Sequence, residues 1–206
     1  MKKSLLATAL LIAGTSVMAL DTQVFVGLDA TSAKVDTKVG FTGTATIDGV
    51  DYSNLSASAD DSDASVGIKA GVILDKTHRI YAYYTQLEPD MEGIKTELDI
   101  MTLNYDYLID VNNDMNVYVG AHIGQSDYEA LGFDDSSIMY GIQAGLLYSI
   151  NKNIELEVGV SYSDMDSKPT TPTVSGTYDN VVLTNASAYL ELENMTRAYV
   201  GVNYKF

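Results

Sequence analysis

Seven ionisable side chains stand singly among small and apolar neighbours: Lys69, Arg79, Asp106, His122, Glu155, Glu157 and Lys205. They fall in stretches whose residues alternate with period two, as in a strand that shows opposite faces to different surroundings. Opposite charges on one such face can pair. Glu155 and Lys205 fall at similar depth on neighbouring segments, and so do Arg79 and Asp106. An unpaired buried charge costs several kcal/mol, so the expected chemistry is a network of ion pairs that fills an enclosed interior. The same residues along an open interior would form a path for ions instead.

Two acidic groups suggest metal chemistry: Asp60, Asp61 and Asp63, then Asp127, Glu129, Asp134 and Asp135. Carboxylates so placed can hold Ca²⁺ or bridge to phosphate through a divalent ion. Neither group has the alternate acids and sixth-position Gly of an EF-hand loop, and solvated loop charge is the expected reading. Catalysis has little to build on. His78 lies in a short polar turn and His122 in mid-strand, whereas acid–base chemistry needs His, Ser or Asp converging at an accessible rim. No enzyme activity, cofactor or metal is expected, and there is no cysteine for disulfide or thiol chemistry.

The elements that position these residues read as strands. At the end of the chain, Ala198, Val200, Val202, Tyr204 and Phe206 share one face, while Tyr199, Gly201, Asn203 and Lys205 share the other. Similar alternation marks 23–30, 65–74, 79–87, 98–108, 116–125, 137–150 and 154–162. On the first of these, Phe25 falls on the less apolar face and must fill the interior. In 79–87 the choice of outward face stays open, because Ile80, Ala82 and Tyr84 compete with Tyr81 and Tyr83. Short polar turns fall near 75–78, 109–115 and 151–153. Long polar segments at 31–63, 88–95, 127–135 and 164–193 read as loops. Within the first loop, 39–50 can extend a hairpin. Within the last, 181–192 is strand-like, either a loop hairpin or the upper part of a long final strand.

The faces opposite the apolar ones are rich in Gly, Ser, Asn and Tyr, with few charges, which suits a narrow closed interior better than a solvated sandwich surface. No run of about 18 apolar residues follows the first 19, so a membrane crossing would have to be a closed barrel. Residues 1–19 read as a cleaved secretory leader, with Lys2 and Lys3, an apolar run and Val17-Met18-Ala19. Formal charge is −16 and falls by two more without Lys2 and Lys3, which argues against a nucleic-acid partner. Fifteen Tyr against four Phe and no Trp suit an apolar-to-wet boundary.

The aromatic ending, with Val202, Tyr204 and Phe206 on the outward face, resembles the C-terminal insertion signal of bacterial outer-membrane barrels. The alternation of short and long links over 20–206 resembles the layout of the OmpA/OmpX-like eight-stranded family. The resemblance implies an all-β, eight-stranded antiparallel transmembrane barrel spanning 20–206, with short periplasmic turns and long extracellular loops. It implies a bacterial outer-membrane location, lipid and lipopolysaccharide around the wall, barrel-assembly machinery engaging the last strand, and a monomer. Cell-wall anchoring is not implied, for lack of room for a peptidoglycan-binding domain. The expected role is structural or surface-interacting through the loops, with extracellular ligands as partners. A narrow passive channel is the alternative, and an outer-membrane enzyme a remote one.

Overall fold

The computed structural model describes residues 21–88, 90–91, 94–95, 97–130, 133–167, 170–171 and 173–206. The leader inferred at 1–19 lies outside them. Eight long strands form the wall: β1 Thr22–Ile47, β2 Ser56–Leu74, β3 His78–Leu87, β4 Glu97–Asn112, β5 Met115–Ala130, β6 Phe133–Ser149, β7 Ile154–Ser167 and β8 Val181–Lys205. Each pairs antiparallel with the next, and β8 returns to β1 from Phe25↔Lys205 up to Ile47↔Val181. The ring of eight strands is therefore closed among the described residues, which satisfies the backbone where the wall crosses lipid.

The two ends differ. At one end the links are short. Asp75 and Lys76 take left-handed conformations between β2 and β3. Between β6 and β7, Asn151 Oδ1 accepts the amides of Asn153 and Ile154 at 2.8 and 2.9 Å, an Asx turn. Both ends of the described chain lie here, since Asp75 N donates to Asp21 O and Lys205 N to Asn153 O. At the other end β1 and β8 run far beyond their neighbours. They are flanked by two further strands, Val50–Ser53 beside β1 and Val174–Tyr178 beside β8, while Asp90–Met91 and Ile94–Lys95 form a small separate hairpin.

The expected long loop at 31–63 is instead mostly strand, because alternation continues while polarity reverses. On β1, Val24, Val26 and Leu28 point out and Phe25, Gly27 and Asp29 point in. Four residues higher the outward positions are Ser32 and Lys34, and the buried inward ones are Ala33 and Val35. A search for an apolar outward face ends at Ala30, although the backbone does not. The last segment is resolved the same way: 181–192 belongs to β8, which also forms a hairpin with Val174–Tyr178. In β3 the outward face is Ile80, Ala82 and Tyr84, and Tyr81 and Tyr83 are buried.

This inversion gives the interior layers. Over the height where the exterior is apolar, the interior holds charges and tyrosines. Where the exterior turns polar, the interior becomes an apolar cluster of Ala33, Val35, Leu87, Leu98, Ile100, Met139, Met165, Leu192 and Met195. Lipid requires the first arrangement and water the second, so the reversal marks where the wall leaves the apolar phase. Exposed tyrosines bracket the apolar band, with Tyr105, Tyr107, Tyr148 and Tyr204 toward the short turns and Tyr140 and Tyr162 toward the long end. Their amphipathic rings suit the two interfaces.

Candidate functional site: an ionic cluster inside the barrel

Glu157 is the hub. It points inward from β7 level with Gly201 of β8, and its carboxylate is removed from solvent. Oε2 accepts from Lys69 Nζ at 2.5 Å and from Asn203 Nδ2 at 2.9 Å, and Oε1 accepts from the Tyr118 hydroxyl at 2.8 Å. Arg79 spans both oxygens, donating from Nη1 to Oε2 at 3.0 Å and from Nη2 to Oε1 at 2.8 Å. The planar guanidinium fork suits this two-point grip, which a point-like ammonium cannot reproduce.

Both cations are shared with a second acid. Arg79 Nε donates to Asp106 Oδ2 at 2.8 Å, and Lys69 Nζ lies 2.8 Å from Asp29 Oδ1. The Arg79 guanidinium also sits over the rings of Tyr118 at 4.6 Å and Tyr81 at 5.0 Å, adding cation–π attraction where the charges are desolvated. From Asp106 a polar chain continues upward. Gln143 Nε2 donates to Asp106 Oδ1 at 2.6 Å, Gln143 Oε1 is 2.8 Å from His122 Nδ1, and His122 Nε2 is 2.8 Å from Ser163 Oγ.

Large inward side chains need small ones beside them. Gly145 and Gly159 flank Tyr118 across the sheet, and a Cβ at Gly159 would collide with the Tyr118 hydroxyl and the Tyr199 ring. Without glycine there, Tyr118 could not reach Glu157 or meet the Tyr199 hydroxyl at 2.7 Å.

Lys205 and Glu155 form a separate pair nearer the short-turn end, 2.9 Å apart, with Ser149 Oγ 3.2 Å from the ammonium. They border an opening of about 690 Å³ that also touches Gln23, Asn112 and Asn116. This vestibule ends below the main cluster, at Ile73 and Leu108.

All seven charged or titratable residues singled out by type and spacing thus point inward. Lys69, Arg79, Asp106 and Glu157 meet in one cluster, His122 joins it through Gln143, and Glu155 and Lys205 stand apart. The outward trio of the terminal strand is exposed. Phe206 packs on Tyr204 with ring centroids 5.1 Å apart, and its amide donates to Val24 O at 3.0 Å.

His122 has a serine on one ring nitrogen and an amide oxygen on the other, which is formally a nucleophile–base–orienter order. Ser163 is fully buried between Met195 and Gly141 in register, beneath the apolar layer. No substrate can reach that hydroxyl without unpacking the barrel. His78 bonds Tyr105 through Nδ1 at 2.8 Å near the short turns. Of the acidic loop residues, Asp63 caps the amide of Glu88 at 2.7 Å and Asp127 accepts from Gln125 at 2.9 Å. The side chains of Asp60, Asp61, Glu129, Asp134 and Asp135 lie outside the described residues. Among the described residues no three His, Cys, Asp or Glu come close enough to hold a metal ion.

No family model matches the sequence, and no curated protein matches it. Solved structures do. OprG of Pseudomonas aeruginosa, an outer-membrane protein, superposes with a TM-score of 0.59 at 14% identity, covering 89% of this chain and 96% of its own. Neisserial surface protein A gives 0.57 at 19% identity, over 89% and 97% of the two chains. OprH of P. aeruginosa, solved in DHPC micelles, gives 0.52 at 23%, over 89% and 99%. The chain has the fold of the small outer-membrane β-barrels.

Several members of the site escape a reading by isolated charge. Asp29 falls on the polar face of the first strand, but no partner for it is visible until Lys69 is placed across β2. Arg197 lies one residue before the alternation of Ala198 to Phe206 that marks the last strand in the sequence. It is buried over the rings of Tyr83 at 4.6 Å and Tyr199 at 5.6 Å, with Nε donating to Ser161 Oγ at 3.0 Å. Parity with Tyr199 and Lys205 was the available signal, because alternate residues of one strand share a face.

Proposed function

We propose that this protein is an integral protein of the bacterial outer membrane, a barrel with a filled interior that serves as a rigid, non-catalytic support for its long extracellular end. One observation carries the reading: above the vestibule, side chains of the described residues fill the interior, ions and tyrosines below and an apolar layer over them. The buried ions Lys69, Arg79, Asp29, Asp106 and Glu157 satisfy one another, and the apolar layer of Leu98, Ile100, Met139 and Met195 closes over them. An ion entering from the vestibule would have to part the Arg79–Glu157 fork and then cross an apolar layer without water. Both steps are costly.

Lipid would cover the apolar band, and lipopolysaccharide would meet the rim of Ser32, Lys34 and Gln125. Barrel-assembly machinery would engage β8 through its exposed outward residues Val202, Tyr204 and Phe206. Ligands would approach from the long end of a monomeric barrel.

Single-channel recording of the refolded protein in a planar bilayer tests the filled interior, with folding verified beforehand by the heat-dependent gel shift. The expected record is flat. Steady, reproducible steps would establish a narrow channel instead and make Glu157 and Lys69 the groups that line it.

A further inference from the structure

Beyond the barrel, β1 and β8 continue side by side and gain a strand on each flank, giving a four-stranded blade in the order Val174–Tyr178, β8, β1, Val50–Ser53. Two tight turns close it. Asp48 and Gly49, with φ of 50° and 79°, join Ile47 to its partner Val50. This is the left-handed pair of a two-residue hairpin whose twist matches the strands. Asp179, with φ of 54°, opens the equivalent link from Tyr178 to Val181.

Directly opposed residues share a sheet face. Ile47 lies between Val50 and Val181, and Ala45 between Tyr52 and Leu183. One face of the blade is therefore apolar across β8, β1 and the flanking strand. The opposite face carries Thr44, Thr46, Asp51 and Ser53, knit by a Thr46–Asp51 hydrogen bond of 2.6 Å and a Thr44–Ser53 one of 3.1 Å. The apolar face is uncovered among the described residues: Val50 is 53% exposed, Ile47 42% and Tyr52 42%. A contiguous apolar face in water outside the lipid band marks an interaction surface.

The charges say what covers it. Residues 39–55 and 173–190 contain Asp48, Asp51 and Asp179 and no Lys or Arg. A second copy would bring acid against acid. Anionic lipid headgroups find no cation there to hold them. The flanking strands Val50–Ser53 and Val174–Tyr178 are both edges, with one side of each backbone free to pair with an added strand among the described residues. From this geometry we propose that the blade binds an extended, basic segment of another protein. The segment would lie along the Val50–Ser53 edge, with apolar residues continuing the face of Val50 and Tyr52 and alternate Lys or Arg residues meeting Asp51 and Asp48. The proposal rests on the reading of the extracellular end as a contact surface and names its partner class.

The test uses the refolded full-length barrel in nanodiscs of zwitterionic phosphatidylcholine, with empty nanodiscs as the blank. Three labelled synthetic peptides of equal length serve as probes: alternating Lys-Val, alternating Glu-Val and alternating Lys-Ser. Fluorescence anisotropy is expected to show saturable binding of Lys-Val alone, weakened about tenfold in the double variant Val50→Thr with Tyr52→Ser. Circular dichroism and the gel shift verify that this surface variant folds, and Asp51→Asn supplies a second, milder variant expected to weaken binding in the same direction. Equal binding of Glu-Val, absence of Lys-Val binding, or a barrel that dimerises through the blade would overturn the proposal. If Lys-Val binds but neither set of substitutions matters, the blade is not the site, while the contact-surface reading stands on another part of the long end. A conducting barrel would overturn the filled-interior reading whatever the peptides do.

Discussion

Glu157 takes its stability from being shared. Its two oxygens accept from Arg79, Lys69, Tyr118 and Asn203, so removal of the charge leaves two buried cations with one carboxylate each. Glu157→Gln keeps the side-chain shape and an acceptor oxygen, which isolates the charge from the volume. The cost expected for breaking such a buried pair is about 3–5 kcal/mol. It would appear as a lower urea midpoint in lipid vesicles, read by far-UV circular dichroism. Lys205→Met is expected to cost less than Glu157→Gln, because that ammonium borders the vestibule and water can solvate the remaining Glu155. Equal losses at the two positions would mean that the main cluster is as wet as the mouth, contrary to its burial.

At the scale of the strand, the reversal of polarity along β1 makes a depth-dependent prediction. Leu28 and Ser32 are both outward and exposed, two repeats of the pleat apart. Leu28 lies between Ile68 and Val202 in the apolar band, whereas Ser32 lies between the small Ala64 and Ala198 at its edge, one outward position below Lys34. Leu28→Arg is expected to destabilise the refolded barrel by about 2–4 kcal/mol and Ser32→Arg by about 0–1 kcal/mol. Urea titration in vesicles of fixed thickness checks both, and equal penalties would place the rim higher than the inversion does. The same reversal explains what could be read from sequence. Strands crossing the band were visible wherever outward Val, Ile and Leu alternate with Gly and Ser, as in β2 and β7. The upper half of β1 was not, because a segment such as 31–38 carries its apolar residues inside and its Lys and Asp outside, and resembles a polar loop to any search for one apolar face. Individual inward charges were legible from isolation and parity, but their partners were not. Glu157 meets Arg79 across the interior, between residues 78 positions apart, and only the closure of the ring brings them together.

For the whole molecule, the barrel and the blade are separable by their packing. The buried clusters draw on residues below the blade, the ionic group lies deeper still, and ring closure between β1 and β8 is continuous from Phe25 to Lys38 apart from one bulge. Phe41 and Leu55 are already joined by a backbone hydrogen bond of 2.9 Å, and Thr171 and Ala188 by one of 2.8 Å, so the chain can be short-circuited at both places with little strain. Deleting 42–53 and 173–187 together is therefore expected to leave the heat-dependent gel shift, the flat conductance record and a urea midpoint close to that of the intact chain, while abolishing binding of the Lys-Val peptide. Loss of the folded band would show that the blade is needed for closing β8 onto β1 during folding, since long-range pairing is the slow step of such a topology. Retention of the band with loss of binding would divide the molecule as its polarity does: a sealed wall shaped by lipid, and a water-exposed sheet whose one uncovered apolar face has no role in holding that wall together.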